Sequence, residues 1–420
     1  MQKIRSGEDY QTVAGTWQKH NGQTIANPPR LLVGDLDSVP YPDYDWRDHA
    51  ILICGQIVPL TYAVLVERMR ERYLTLTTRG CPFQCNYCFN HAFRRLFPQG
   101  PTIRKRSIAN VMGELKMVQE RFATISHICI ADDALFLRPD NEIEEFSRQY
   151  KAHIRIPMWV TGTNPSTVTA RKLAALADGG MDTIRMGIQT ASPRIQKLYA
   201  RKESNQQARA AAQLFHRFRG KIKTVQYDIL LDNPWETDED LRATLLFMCR
   251  LPVLCEIFLF PLILYPGTDL EKMAVKAGIP RDQDEKQRLQ HHRARQTYLN
   301  AIFFLLSECA HRGQTIPLPL MFLMTQPLLI RLGVSRVIYR ALKAQREGRL
   351  LSSLRRVIAR TLRRALHAPA SGLLRGWDPT SEHGRSPALL MVDGDRPALK
   401  ERIGDNRFSP SEETAEAMHR

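Results

Sequence analysis

The chain has 420 residues, a hydrophobic fraction of 43%, a charged fraction of 25% and a formal net charge of +17. That is the composition of a globular protein with room for one large domain plus appendages, or for two domains. Eight cysteines without regular pairing exclude a disulfide framework. The absence of an apolar opening segment, or of any run of about 18 apolar residues, predicts neither a signal peptide nor a membrane span.

In chain order, residues 13–26 read as a hairpin turning at Asn21-Gly22, followed by a Pro- and Asp-rich linker over 27–45. From residue 72 to about 270, short β-like runs alternate with helical ones, the pattern of parallel α/β architecture. Strands are expected near 73–78, 126–131, 156–161, 183–189, 223–231 and 256–264. Helices are expected near 107–121, 140–151, 166–179, 192–218 and 237–250. In the first helix Ser107 is placed to cap, and Ile108, Val111, Met112, Leu115 and Val118 repeat at helical spacing. Beyond about residue 280 a helix with a charged first half spans 282–313, and an apolar run at 315–324 is broken by two prolines. The stretch 328–366 has eleven Arg or Lys and one acid, Glu347, on an amphipathic helical pattern. The tail 368–420 is rich in Pro, Ser, Gly and charge and reads as disordered.

Cys81, Cys85 and Cys88 form a C-x3-C-x2-C loop just after the first strand. Three thiolates from one tight loop suit three irons of a 4Fe–4S cube and leave the fourth iron open. A structural zinc site wants four ligands, and no fourth Cys or paired His stands nearby. Two acids, Asp132 and Asp133, close the second strand. Met186-Gly-Ile-Gln-Thr-Ala-Ser192 closes the fourth, with Arg201 further on. Gln226 to Thr237 closes the fifth, where Glu236 opens a helix and reads as structural. Leu264-Tyr-Pro-Gly-Thr268 follows the sixth. The scattered Cys54, Cys129, Cys249, Cys255 and Cys309 read as buried thiols, so one cluster is counted.

The segment from Leu74 through Gly80-Cys81-Pro82 to Phe89 resembles the cluster loop of radical S-adenosylmethionine (radical SAM) enzymes. The later strand ends match that family's motifs in order over about 200 residues. The resemblance implies a partial (β/α)6 barrel over 71–280, a 4Fe–4S cluster on Cys81, Cys85 and Cys88, and SAM chelated to the open iron. It assigns cofactor contacts to Tyr87, Phe89, Asp132, Asp133, Gln189, Thr190 and Arg201. Asp132 and Asp133 would meet the methionine ammonium, Gln189 and Thr190 the ribose, and Arg201 the methionine carboxylate. The chain departs from the family at Gln189 and Thr190, where Glu and Ser are usual, and at Asp232 and Trp235, where glycines are usual.

Residues 1–70 resemble the connector that follows the cobalamin domain of cobalamin-type radical SAM proteins, and so read as the remnant of that junction. Residues 281–367 form a helical, basic C-terminal region. None of the twelve His has the Asp-x-His-x-x-Gly context, which leaves the use of cobalamin open. The implied reaction is reductive cleavage of SAM to a 5′-deoxyadenosyl radical acting on a small-molecule or lipid-like substrate, by methylation, ring formation or rearrangement. An RNA-modifying enzyme and a truncated non-catalytic remnant or subunit are the alternatives. Nucleic acid is not favoured, because the excess charge concentrates in 328–366, a segment suited to a membrane surface. A reductase, flavodoxin or ferredoxin is the implied electron donor, and the implied compartment is the cytoplasm.

Overall fold

A computed structural model of the chain describes residues 5–7, 10–53, 55–69, 71–252, 255–279, 294–295 and 297–332. The tail read as disordered and nearly all of the basic stretch read as helical lie outside these residues, as does the charged half of the helix expected over 282–313.

The expected hairpin is present as β1 (Trp17–His20) and β2 (Gln23–Ala26), paired antiparallel. Its two-residue turn puts Asn21 and Gly22 at φ of 49° and 81°, as such turns require. A second hairpin, β3 (Ala50–Ile53) with β4 (Gln56–Pro59), and helix α1 (Tyr62–Met69) follow. The sequence reading did not anticipate either.

The main sheet contains β5 (Arg72–Thr75), β8 (His127–Ile130), β9 (Met158–Thr163), β10 (Met181–Gln189), β11 (Thr224–Leu231) and β12 (Cys255–Pro261). All six are parallel and lie in chain order. Each strand sits beside its predecessor because a right-handed helical crossover returns the chain there. The result is the partial (β/α)6 barrel. Its six strands fall where they were expected, in a pattern set by Val, Ile, Tyr and Phe at alternating buried positions.

Helices α3 (Ile108–Arg121), α4 (Asp140–His153) and α5 (Ala170–Gly179) connect the early strands. One face of the sheet is their shared core, where Ile128, Ile130, Val160, Ile184, Met186 and Ile229 are fully buried. The other face is more polar. There the ion pair of Arg185 and Asp228 (2.7 Å) lies against the rings of Phe258 and Phe260.

The single helix expected over 192–218 is two: α6 (Pro193–Leu198) and α7 (Asn205–Arg217). Ala200 takes φ of +52° and ends the first. Ser204 and Gln207 then open the second with a reciprocal capping box. The break matters because it swings Arg201 and Glu203 out of a helix surface and into the top of the barrel.

Beyond β11, α8 (Asp238–Met248) is capped by Thr237 and Asp240, and α9 (Asp269–Lys276) follows β12. Helix α10 (Tyr298–His311) docks on β12, where the Ser307 hydroxyl donates to the Ile257 carbonyl at 2.7 Å. The apolar run with two prolines is helical, as α11 (Leu318–Met324), because Pro317 and Pro319 fall at its N-terminal positions and cost no hydrogen bond. Among the described residues no helix is long and apolar enough to cross a membrane.

Candidate active site

The three-cysteine loop leaves the sheet through a small ribbon, β6 (Thr78–Arg79) paired with β7 (Arg104–Lys105). Asp132, fully buried at the end of β8, holds this exit. Its carboxylate accepts hydrogen bonds from the Thr77 amide at 2.6 Å, the Thr77 hydroxyl at 2.5 Å and the Thr78 amide at 3.0 Å. Arg138 adds a clamp, donating to the carbonyls of Thr77 and Arg106, both at 2.9 Å. Gly80 then makes the turn at φ of +100°, with its α-carbon so close to the segment leading into β7 that an added Cβ would lie 2.2 Å from the Thr102 carbonyl oxygen. Only glycine fits there.

Cys81, Cys85 and Cys88 follow, all free and partly exposed. Cys88 precedes α2 (Phe89–Arg94), and its amide donates to the Cys85 carbonyl at 3.0 Å. Asn86 fixes the loop from the far side. Its amide donates to the Tyr199 carbonyl (3.0 Å), its side chain donates to the Leu198 carbonyl (2.9 Å), and its own carbonyl accepts from the Leu270 amide (3.1 Å). One residue between two of the cysteines thereby ties the loop to the ends of α6 and α9.

Burial pushes the Cys81 thiol up to about 12, and the charges of Asp133, Cys88 and Cys85 add to that. Burial raises Cys85 and Cys88 as well. Neutral thiols in the bare loop are the expected state of metal ligands, whose protons leave when metal binds. Among the described residues no three His, Cys, Asp or Glu side chains converge on a point suited to one metal ion. A structural zinc takes four protein ligands at one point, whereas a cube takes each of three thiolates on a different iron. The donor set fits the cluster.

The other expected contacts divide. Asp133 follows the buried Asp132, and its charge raises the pKa of both Cys81 and Cys88. Burial raises its own pKa and Asn90 works against that. Gln189 ends β10 at φ of +66°, where the ladder to β11 slips between Gly187 and Gln189. Its carboxamide folds back over Gly187, close enough that a Cβ on Gly187 would come 2.5 Å from its Nε2. Arg201 is buried behind Cys85. It donates to the Tyr87 hydroxyl (3.0 Å) and the Gly187 carbonyl (2.9 Å), and Glu203 stands 3.5 Å away.

Four assignments take a different form. Asp132 is occupied by Thr77 and Thr78. Thr190 turns inward, 1% exposed, with its hydroxyl 3.2 Å from that of Thr244, and accepts from the Ser192 amide. Tyr87 wedges its ring edge-on against Tyr199 with centroids 4.8 Å apart. Phe89 points outward, 54% exposed, against Phe93.

The sequence reading missed Asn86, Glu203 and Asn164. Glu203 and Cys85 help line a cavity of about 240 Å³ against Pro82, Phe83 and Lys202. One Glu203 oxygen accepts from Asn164 and the other has no partner. At the end of β11, Asp232 takes φ of +61° at the position where a glycine was expected. Its carboxylate accepts from the Arg295 amide and the Asn300 side chain, both at 2.8 Å. Trp235 packs with Tyr87 and Tyr199. Asp232 thus ties the end of β11 to the start of α10 by hydrogen bonds, and Trp235 takes part in apolar packing.

Residues 75–248 match the model of the radical SAM superfamily. The chain carries a radical SAM domain. An uncharacterised methyltransferase of Pyrococcus horikoshii is 25% identical over 280 residues, 65% of this chain and 54% of that protein. The chain thus spans about half the length of that curated relative. The radical SAM methyltransferase TsrM of Kitasatospora setae, solved with tryptophan substrate and a SAM analogue, superposes with a TM-score of 0.50 at 18% identity, over 67% of this chain and 52% of that one. The cobalamin-dependent radical SAM enzyme OxsB gives 0.45 at 16%, over 66% and 38%. At these identities the likeness is one of fold, and the radical SAM domain is where the site residues lie.

Proposed function

We propose that the chain is a radical SAM enzyme that acts on a small-molecule or lipid-like substrate by methylation, ring formation or rearrangement. One observation carries this reading: three free thiols on one braced loop stand at the same end of one parallel sheet as Asp133 and Gln189, at the C-terminal ends of its strands, where βα barrels place their chemistry. Cys81, Cys85 and Cys88 would hold the 4Fe–4S cluster. When bound, it supplies the electron that cleaves SAM to a 5′-deoxyadenosyl radical, which takes hydrogen from a substrate C–H bond.

The chain's own residues do the positioning. Asp133 offers a carboxylate to the ammonium of the methionine moiety, a charge-assisted hydrogen bond. Gln189 offers both a donor and an acceptor to ribose hydroxyls. Arg201, committed to Tyr87, Gly187 and Glu203, sets the back wall behind Cys85 and keeps a positive charge there. Asp132, Arg138, Gly80 and Asn86 hold the loop in one conformation, so that little reorganisation is left for the reaction.

Anaerobic reconstitution with iron and sulfide, followed by SAM and dithionite, tests the reading. Wild type is expected to take up iron and release 5′-deoxyadenosine, and a Cys81→Ala/Cys85→Ala/Cys88→Ala variant to do neither. Iron uptake without 5′-deoxyadenosine in the wild type would sink the proposal.

A further inference from the structure

Between Arg79 and Arg106 the chain holds six Arg or Lys and no Asp or Glu. Three of the six find acids from elsewhere. Arg95 meets Asp269 at 2.6 Å, Lys105 meets Glu142 at 2.5 Å, and Arg106 meets the buried Glu114. The other three do not. Arg79 and Arg104 stand directly opposite one another in the β6–β7 ribbon. Burial, and then the charge of Arg79, pull the Arg104 pKa down. Arg104 donates to the Val33 carbonyl at 2.8 Å and Arg94 to the Pro82 carbonyl at 3.3 Å. Among the described residues none of the three forms an ion pair with a carboxylate.

Like charges directly opposite in a ladder destabilise it. Within the described residues Arg94 and Arg104 gain only a carbonyl contact each and no carboxylate offsets the three charges, which leaves them open to a counter-charge from outside the chain. Next to these cations, α2 and the turn after it expose Phe89, Phe93 and Leu96 (54%, 38% and 58%), with the ring centroids of Phe89 and Phe93 5.5 Å apart. An apolar ridge beside unmatched charge has the make-up of a transient protein interface. Its location is specific. Arg79 stands two residues before Cys81, Arg94 binds the carbonyl of Pro82, and Phe89 directly follows Cys88.

We propose that this face docks an acidic one-electron carrier protein of the flavodoxin kind, with Arg79, Arg94 and Arg104 meeting its carboxylates and Phe89, Phe93 and Leu96 at the centre of the contact. The inference rests on the radical SAM reading, which requires such a donor. The electron balance is simple: the carrier is oxidised by one electron, the cluster on Cys81, Cys85 and Cys88 is reduced by one, and no bond or proton moves. The complementarity acts mainly on the rate of encounter, and salt weakens it.

The test compares the reconstituted full chain with Arg79→Glu/Arg104→Glu and Arg79→Gln/Arg104→Gln variants. With dithionite, which needs no docking face, all three should form 5′-deoxyadenosine at one rate. With a purified flavodoxin kept reduced by its NADPH-dependent reductase, the Glu variant should be slower by roughly tenfold or more at low ionic strength. The Gln variant should fall between, and added salt should erase the differences. Calorimetric titration with oxidised flavodoxin should weaken in the same order, independently of turnover. Because the Gln variant removes a like-charge pair, its Tm should hold or rise.

Equal flavodoxin-driven rates and equal affinities across the three proteins would overturn the proposal. So would a loss in the dithionite arm as large as in the flavodoxin arm, since the arginines would then serve the site itself. A wild type inactive even with dithionite would overturn the radical SAM reading instead, and the titration alone would then decide the docking face.

Discussion

Replacing Asp132 with Ala removes a carboxylate that is fully buried and accepts three hydrogen bonds, from the Thr77 amide, the Thr77 hydroxyl and the Thr78 amide. Both threonines are themselves buried, so no solvent replaces the lost acceptor. Each stranded backbone donor costs about 1–3 kcal/mol, while the hydroxyl can rotate to another partner. Deleting the charge also relieves a penalty, visible in the Asp132 pKa, which burial pushes up against the pull of the Thr77 and Thr78 bonds. The net cost is about 3–5 kcal/mol, in the range for breaking a buried charged contact. For a domain of this size that lowers Tm by roughly 10 °C. Asp132→Asn keeps an acceptor for both amides and should cost about 1 kcal/mol. Thermal unfolding, iron uptake after reconstitution and equilibrium dialysis of SAM read out the effect. In Asp132→Ala, Tm and iron uptake should fall together, because Thr77 and Thr78 lead directly into the cysteine loop. An unchanged Tm and iron content with lost SAM affinity would refute the reasoning and make Asp132 a ligand of the methionine moiety.

Glu236 gives a pH prediction. Its folded pKa of about 8 lies above the ordinary 4.5 because burial, then Asp240 and Asp232, disfavour the charge more than Arg194 favours it. A raised folded pKa means stability that is complete below about pH 4.5 and lost as pH rises through 8. The wild-type Tm should therefore fall more steeply across that window than that of Glu236→Gln, and parallel curves would contradict the assignment. Gln189→Gly should relieve the left-handed backbone by about 1 kcal/mol while weakening SAM binding. A more stable variant with undiminished affinity would remove Gln189 from the site.

The strands and the cysteine loop were legible because their signals are local. Alternating Val, Ile and aromatic residues report burial within a single strand, and three ligands on one loop stand within reach of one another whatever the fold. The acid pair shows where locality ends. Asp132 turns in to Thr77 and Thr78 and its neighbour Asp133 does not, and nothing in the sequence says which of the two would. Asn86 meets Leu198, Asn164 meets Glu203, and Arg201 meets Tyr87 only after the strands have assembled. The basic excess misleads in the same way. Its bulk is in 328–366, yet among the described residues Arg79, Arg94 and Arg104, in the run around the cysteines, also stand without a carboxylate partner.

The backbone supplies an argument for the site that owes nothing to motifs. Among the described residues five non-glycine positions adopt positive φ: Asn21, Glu71, Gln189, Ala200 and Asp232. Asn21 belongs to a hairpin turn that demands it. Gln189, Ala200 and Asp232 lie at the end of β10, after α6 and at the end of β11, and each is next to a residue that reaches the cysteine loop or its wall. Ala200 precedes Arg201, Gln189 lies over the Gly187 whose carbonyl Arg201 binds, and Asp232 precedes the Asn233 that donates to the Tyr199 hydroxyl at 3.1 Å. Such conformations cost about 1–3 kcal/mol each and persist where the surroundings over-determine them. Three of them converging on one end of one sheet mark that end as the part of the molecule shaped for something other than its own stability.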